Sequence, residues 1–210
     1  MQRDFGLICA AAVAAAVLVG GSSGDRPSPR GARAGYFPNV ALTTHDGRAV
    51  RFYDDIMKGD KIVLVNFMYA HCTGVCPGST RNLVRVQRLL HDRIGRDVFM
   101  YSITLDPARD SPQALAEYAR AYRIGPGWTF LTGAKADIEA IRRAVGFVDP
   151  DSTLDADRTN HSGLVLIGNE AIDRYMAEPA GIEPARIVDA VTWMESPRMR
   201  ALSRSESGGF

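Results

Sequence analysis

The chain has 210 residues, which is long enough for one well-buried domain and not obviously for two. Its formal net charge is +1, because 25 basic and 24 acidic residues are interspersed along it. Domains that bind nucleic acid normally show a basic stripe, so this balance excludes a nucleic-acid partner from the expected functions.

Residues 1–23 have the pattern of a secretory signal. Their apolar, Ala/Val-rich run at residues 5–19 is followed by small residues. The run is short for a membrane span, which needs roughly 20 residues, but an uncleaved anchor stays an alternative. Cys9 lies inside the run, and we interpret it as a small apolar residue. The Gly/Pro/Arg composition of residues 24–35 predicts a flexible linker.

Residues 36–195 alternate between strand and helix patterns, and the Ser/Gly/Arg-rich tail at 196–210 is expected to be disordered. The strand patterns lie at residues 40–42, 49–52, 62–70, 98–105, 128–131, 163–167 and 171–176. The helix patterns lie at residues 77–94, 112–122, 137–145 and 184–194. An Asp46-Gly47 turn between the first two strands is typical of a hairpin.

The strand at residues 62–70 is apolar at nearly every position, which indicates burial on both faces of a sheet. The order of elements predicts an α/β fold, in which helices flank a central mixed sheet. Ligands of such sheets bind beyond the carboxyl ends of the strands. The loop with Cys72 and Cys76 lies at one such end, and Asp106 lies at the end of the neighbouring strand.

Cys72 and Cys76 stand between that strand and the next helix. Pro77 fits the first position of the helix, so Cys76 is expected at or beside the N-cap and Cys72 in the preceding loop. A helix N-terminus carries unpaired N–H groups and about half a positive charge, which favour a thiolate over a thiol. The thiolate is the form that attacks disulfides or binds metal.

The cysteine pair has four possible roles: core packing, a permanent disulfide, a reversible dithiol and a metal site. Turn-forming neighbours argue against simple core packing, and a permanent disulfide across so short a loop would constrain the unfolded chain little. A reversible dithiol and a two-thiolate metal site remain. Redox motifs of the thioredoxin type have two intervening residues, whereas three occur here and leave more room for an ion. Zinc usually requires four protein ligands, while soft thiolates with few partners suit Cu(I).

Four segments, taken together, resemble the Sco/SenC family of copper proteins, whose fold is thioredoxin-like. They are residues 66–77, 103–112, 131–133 and 160–162, and they occur in the family's order and spacing. The resemblance covers roughly residues 36–195. It implies an exported protein of the periplasm or the outer face of the inner membrane, attached to the membrane only through its N-terminal segment.

The resemblance also implies a copper site and its partners. Cys72 and Cys76 match two thiolate ligands, His161 matches an imidazole ligand, and Asp106 matches an acidic position that supports the site or contacts a partner. The cargo is Cu(I), with Cu(II) as an open alternative. The expected recipient is the copper-bearing subunit of cytochrome c oxidase, and a thiol reductant or an upstream copper donor is a further expected partner.

Two departures from the family pattern stand close to these ligands. Thr73 and Gly74 replace the usual proline and aspartate, which removes a negative charge beside the thiolates. Asn160 replaces the aspartate that usually precedes the histidine. A carboxylate there would orient the imidazole and raise its basicity more than an amide does.

The remaining candidate side chains have structural interpretations. His71 borders Cys72, but adjacent side chains of an extended segment point to opposite faces, so we do not expect it to be a ligand. We expect a solvated position for His45 and His91, and core packing for Met68, Met100, Trp128 and Trp193.

Other functions stay open from the sequence alone. The main alternative is a thiol–disulfide reductase of the cell envelope that uses Cys72 and Cys76 as a dithiol without metal. A peroxide-consuming enzyme on the same fold would need a partner for the leaving oxygen, and only Arg109 can be offered. A redox sensor whose copper state is recognised by a partner is a third alternative.

Overall fold

A computed structural model describes residues 35–156 and 163–207. Its strands are β1 (Ala41–Thr44), β2 (Ala49–Arg51), β3 (Ile62–Met68), β4 (Val98–Thr104), β5 (Trp128–Gly133), β6 (Leu164–Asn169) and β7 (Arg174–Pro179). Its α-helices are α1 (Val75–Leu89), α2 (Pro112–Ala121), α3 (Lys135–Ala144), α4 (Ser152–Ala156), α5 (Pro184–Trp193) and α6 (Pro197–Ser207). A π-helix (Phe52–Met57) precedes β3, and a 3₁₀ helix (Glu170–Ile172) joins β6 to β7.

The strands form one mixed sheet in the order β2-β1-β5-β4-β3-β6-β7. The three strands β5, β4 and β3 are parallel, and the strands at both edges are antiparallel to their neighbours. The predicted architecture is therefore confirmed: a thioredoxin-like α/β fold with the β1–β2 hairpin added at one edge. The parallel strands end at the edge of the sheet where the cysteine loop begins.

The central strand β3 is buried at all seven positions, as its continuous apolar run predicts. Successive side chains point to opposite faces, so the strand contributes to two separate cores. Its even-numbered apolar residues belong to the cluster that includes α1, α2 and α5. Its odd-numbered residues belong to the cluster that includes the π-helix and α3. Both cores thus hold β3 rigidly up to the residue before the cysteine loop.

The two tryptophans differ in their surroundings. Trp128 is buried, as predicted, and its indole N–H donates to Oγ of Ser102 at 2.9 Å. The prediction of core packing for Trp193 was wrong, because its side chain is 74% exposed. The buried face of α5 continues from Ala190 to Met194, and Trp193 lies beside that stripe.

The C-terminal tail differs from its prediction. Residues 197–207 form α6, although disorder was expected from residue 196 onward. Oγ of Ser196 donates to the carboxylate of Asp60 at 2.9 Å and accepts from the backbone N–H of Met199 at 3.1 Å. The side chain of Met199 is buried against the main core. The composition of the tail does not reveal this cap at the start of α6, because its partner Asp60 is distant in sequence.

The turn after β6 comes later than predicted. The strand pattern was expected to end at residue 167, but β6 continues through Asn169, and the chain reverses at residues 170–173. The Asn169 side chain is fully buried. Its amide N–H donates to the backbone oxygen of Met194 at 3.1 Å, and its Oδ1 caps the 3₁₀ helix by accepting from the backbone N–H of Ala171 at 3.1 Å.

Among the described residues, no helix has the length and apolarity that a membrane crossing requires. The segments predicted as signal or anchor (1–23) and as linker (24–34) lie outside the described ranges.

Candidate metal centre

The two cysteines lie where β3 passes into α1. The strand ends at Met68, and α1 begins at Val75 with Gly74 as its N-cap residue. Cys76 is therefore the second residue of the helix. The placement of Pro77 at the first helical position was wrong, because it is the third residue. This position is tolerated since no N–H of the first helical turn has an intrahelical partner.

Both cysteines are buried free thiols that belong to the main core cluster. Cys72 is 8% exposed and Cys76 is 1% exposed. The turn-forming sequence around the pair therefore does not bring either sulfur fully to the surface. Cys72 is the more accessible of the two, and an attacking group or an incoming ion would meet it first.

Hydrogen bonds set the state of the Cys72 thiol. Burial raises the pKa of Cys72, but hydrogen bonds to its sulfur from the thiol and the backbone N–H of Cys76 outweigh this effect. Further hydrogen bonds from the Tyr69 side chain and the Gly74 backbone act in the same direction. The net pKa of Cys72 is lowered, because each donor stabilises the thiolate.

Cys76 has the opposite shift. Burial, followed by its hydrogen bond to the Cys72 sulfur and repulsion by the Cys72 thiolate, raises the pKa of Cys76 to about 12. The pair therefore loses one proton easily and keeps the second. Only a bound cation would make two thiolates favourable at this site, and metal binding would displace the second proton.

A buried carboxylate holds the cysteine loop against β4. Oδ2 of Asp110 accepts from the backbone N–H of Ala70 at 3.0 Å and from the hydroxyl of Thr104 at 2.5 Å. Asp110 is fully buried, and its Oδ1 has no hydrogen-bond partner within the described residues. Sequence reasoning missed this residue, although the motif at residues 103–112 contains it. Its short spacing from the end of β4 was the available signal.

Asp106, the acidic residue that the family resemblance predicts at the site, also lies beyond β4 and is buried. Its carboxylate accepts from Nε of Arg109 at 2.7 Å, and its backbone N–H donates to the Thr104 hydroxyl at 2.9 Å. In residues 35–156 and 163–207, no group of three or more His, Cys, Asp or Glu side chains is placed to hold a metal. A role for Asp106 in the site stays a prediction.

His161, the predicted imidazole ligand, and its neighbour Asn160 lie outside the described residues. The described residues resume at Gly163, whose backbone lies close to the cysteine loop. A β-carbon at Gly163 would be 3.3 Å from Cγ2 of Val75, the residue before Cys76. Gly163 follows position 161 by two residues in the sequence, and two residues span at most about 7 Å.

The other histidines have separate surroundings. His71 is exposed. His91 is exposed and pairs with Asp92 at 3.0 Å, in agreement with a solvated position. The prediction for His45 was wrong, because its Nδ1 accepts from the backbone N–H of Phe130 at 3.2 Å. Its ring also packs edge-on against the Phe130 ring, so the hairpin turn is fixed to the sheet.

Comparison with known proteins gives one family. The family model described as SCO1/SenC matches residues 32–194. The chain is 31% identical over 142 residues to the mitochondrial SCO1 homolog of Mus musculus, a match that covers 64% of this chain and 48% of that protein. It is 38% identical over 104 residues to SenC of Rhodobacter capsulatus, a match that covers 49% of this chain and 44% of that protein. The chain thus spans about half the length of the curated relatives it matches.

Solved structures share the fold. A SCO1/SenC family lipoprotein from Bacillus anthracis has a TM-score of 0.61 at 19% identity, covering 75% of this chain and 94% of that chain. ScoI of Bradyrhizobium japonicum with copper bound has a TM-score of 0.58 at 25% identity. The match covers 73% of this chain and 96% of that chain. The similarity therefore extends over nearly the whole of each solved domain.

The opposite pKa shifts predict unequal reactivity of the two thiols. In the reduced protein, iodoacetamide is expected to modify Cys72 at a rate that rises through a midpoint below that of the same cysteine in the unfolded chain, because the pKa of Cys72 is lowered. Cys76 should stay unmodified over that range, because it keeps its proton. Mass spectrometry of peptides over a pH series measures both rates. In denaturant the two cysteines should react alike, and equal rates in the folded protein would contradict the assignment.

The Asp110 contacts predict a stability effect. Asp110→Ala leaves the Ala70 N–H and the Thr104 hydroxyl without their buried acceptor, so we expect a loss of about 2–4 kcal/mol in the free energy of unfolding. Asp110→Asn retains one acceptor oxygen and should lose less. Denaturant unfolding measures both variants, and the exposed Asp189→Ala is the control, expected within about 0.5 kcal/mol of the parent. An equally small loss for Asp110→Ala would remove this role from the carboxylate.

Proposed function

The chain belongs to the SCO1/SenC family, and we propose that it is a copper chaperone that carries Cu(I) between two cysteines and a histidine. The ligands are Cys72, Cys76 and His161, and the recipient is the copper centre of a cytochrome c oxidase subunit. Copper is the cargo of this protein and is passed on to the recipient.

The approach of Gly163 to Val75 is the observation that carries this proposal. The chain leaves β3 with two sulfurs at its end and, almost a hundred residues later, returns to the same place two residues after His161. An imidazole on this segment has the reach to meet the sulfurs. The approach supports a three-ligand site assembled from two distant segments of the chain.

The donor set fits Cu(I) in charge and in softness. Thiolates are soft ligands that select Cu(I) among the common metals, and imidazole is compatible with copper. The pair gives up the Cys72 proton more readily than the Cys76 proton, so a bound monovalent cation balances the charge of the Cys72 thiolate and displaces the proton of Cys76. Within the described residues no further ligand is available to complete a four-ligand zinc site.

Delivery follows from the small number of ligands. In a three-ligand site, one protein ligand can be replaced by a ligand of the recipient while the other two still hold the ion. Copper then passes through shared coordination and is not released into solution. The copper-bound ScoI of Bradyrhizobium japonicum, 25% identical to this chain, supports copper as the cargo.

The setting of this function is also part of the proposal. Residues 36–195 form the copper-binding domain, and residues 1–35 provide an export signal or an anchor and a linker. The protein would then act in the periplasm or at the outer face of the inner membrane. In that oxidising compartment the two thiols require a reductant or a bound metal to avoid disulfide formation.

Removal of each ligand tests the copper site. Cys72→Ser and Cys76→Ser are expected to weaken Cu(I) binding by at least about a hundredfold, more than the loss of a residue outside the coordination sphere causes. His161→Ala should weaken it by at least about tenfold and remove the nitrogen seen by X-ray absorption. His71→Ala is the matched control and should change nothing. Serine variants that bind as tightly as the parent would refute the proposal.

A thiol–disulfide reductase is the second candidate, and the unequal thiols favour it. The Cys72 thiolate would attack a partner disulfide and form a mixed disulfide, releasing one partner thiol. Cys76, after losing its proton, would then form the Cys72–Cys76 disulfide and release the second thiol. Two electrons pass from the pair to the partner, whose two sulfurs each take up a proton.

The potential of the metal-free pair separates the two candidates. A reductase is expected to have a potential near that of thioredoxin, about −270 mV, and turnover unchanged by His161→Ala. Equilibration of the apo protein with glutathione buffers measures the potential. A pair that is far more oxidising and does not turn over leaves the copper chaperone as the supported function.

A further inference from the structure

A groove of about 650 Å³ opens beside the cysteine loop. One wall is the first half of α1, and the other is formed by Gly163 before β6 and by Pro179 and Gly181 at the end of β7. Its near end is at Gly74 and Val75, which lie between Cys72 and Cys76 in the chain. The mechanism proposed above makes no use of this groove.

A hydrogen bond joins the two walls of the groove, and glycines in its lining leave the backbone uncovered by side chains. The Asn82 amide on α1 donates to the backbone oxygen of Ala180 at 2.9 Å, which ties the two walls together. β-Carbons at Gly74, Gly78 and Gly181 would each meet no described residue within 4 Å. The space that side chains would take is therefore open to an incoming chain.

The charged residues that line the groove are positive. Arg81 and Arg85 are the charged side chains among its described lining residues, and both are exposed. Neither guanidinium makes an ion pair or a hydrogen bond within the described residues. Helix α1 contains three arginines and no acidic residue. Unpaired cations at the rim of an open groove favour a partner that brings carboxylates.

We propose that this groove docks an extended, acidic segment of the protein that exchanges ligands or sulfurs with Cys72. Residues four apart on a helix lie about 6 Å apart. Alternate residues of an extended chain repeat at about 6.6 Å and point to the same side. Two carboxylates at alternate positions therefore match Arg81 and Arg85.

Helix geometry also sets where the carboxylates stand. Arg81 and Arg85 follow Cys76 by about 7.5 and 13.5 Å along the helix axis. At about 3.3 Å per residue, the matching acidic residues lie roughly two and four positions from the partner's cysteine. The inference rests on the proposed function only in that the partner has a ligand or a sulfur that must reach Cys72.

The chain's own linker does not suit the groove. Residues 24–35 contain Arg26, Arg30 and Arg33 against a single acidic residue, Asp25. Such a segment would be repelled by the arginines of α1. A second copy of the chain could offer the acidic residues around Asp151 instead, and the experiment tests this occupant separately.

Peptide exchange tests the groove. The probe is the peptide Cys-Ser-Glu-Ser-Glu with its cysteine activated as a 2-thiopyridyl disulfide, and glutamine replaces both glutamates in the matched peptide. In the full chain carrying Cys9→Ser and Cys76→Ser, the Cys72 thiolate displaces thiopyridone, whose absorbance gives the rate. The acidic peptide should react about tenfold faster at low salt, and high salt should reduce this ratio towards one.

Arginine variants locate the effect. Arg81→Gln with Arg85→Gln should lower the ratio of acidic to neutral rates to below about twofold. Arg88→Gln is the control, because Arg88 lies on the same helix outside the described lining of the groove, and it should keep the ratio. The ratio cancels any change in the reactivity of Cys72 itself, since both peptides meet the same thiolate.

Three outcomes would overturn the inference: a ratio near one in the parent, an equal loss in Arg88→Gln, or a groove occupied by a second copy. Sedimentation of the reduced chain over a range of concentrations reveals the last. Cu(I) titration of the unsubstituted chain is independent of the docking test. Failure of that chain to bind Cu(I) would refute the chaperone alone, whereas a peptide ratio of one with intact Cu(I) binding would refute the groove alone.

Discussion

Two sulfurs buried where β3 passes into α1 lose their protons unequally, and the chemistry of the site follows from this inequality. The hydrogen bond between them stabilises Cys72 as thiolate and Cys76 as thiol. A second negative charge would have to be placed beside the first in a site with little access to water. The pair is therefore prepared for a cation or for an electrophilic sulfur, and both candidate functions use the same starting state.

The arrangement depends on keeping the cysteine loop in one conformation. Tyr69 and Cys72 are joined by a backbone hydrogen bond of 3.2 Å, and Asp110 holds Ala70 between them. The backbone N–H of Leu105 donates to the oxygen of Met68 at 2.8 Å, which extends the pairing of β3 with β4 into both loops. The donors to the Cys72 sulfur come from this loop and from α1, so they stay aligned only while the loop does.

The sequence predicted most of this fold because its strongest patterns are local. The apolar run of β3, the hairpin turn and the stripe of α2 each depend on near neighbours, and each was found. The missed features depend on contacts distant in sequence. Asp60 caps α6 through Ser196, and the burial of Asp110 is apparent only once β3 and β4 are paired. Trp193 was misplaced because its hydrophobicity was weighed without the helix face on which it lies.

The site has one closed side and one open side, and this asymmetry bears on how a partner reaches the sulfurs. Towards β4 the loop is sealed by Asp110, which is fully buried. Towards β6 it borders Gly163 and the groove beside Val75. A partner that uses the open side would approach along the wall that contains Gly163. Under the proposed mechanism, docking in the groove would bring the incoming ligand to the side of the ion where the protein's only non-sulfur ligand is bound. Replacement of the imidazole would then require no movement of the two sulfurs.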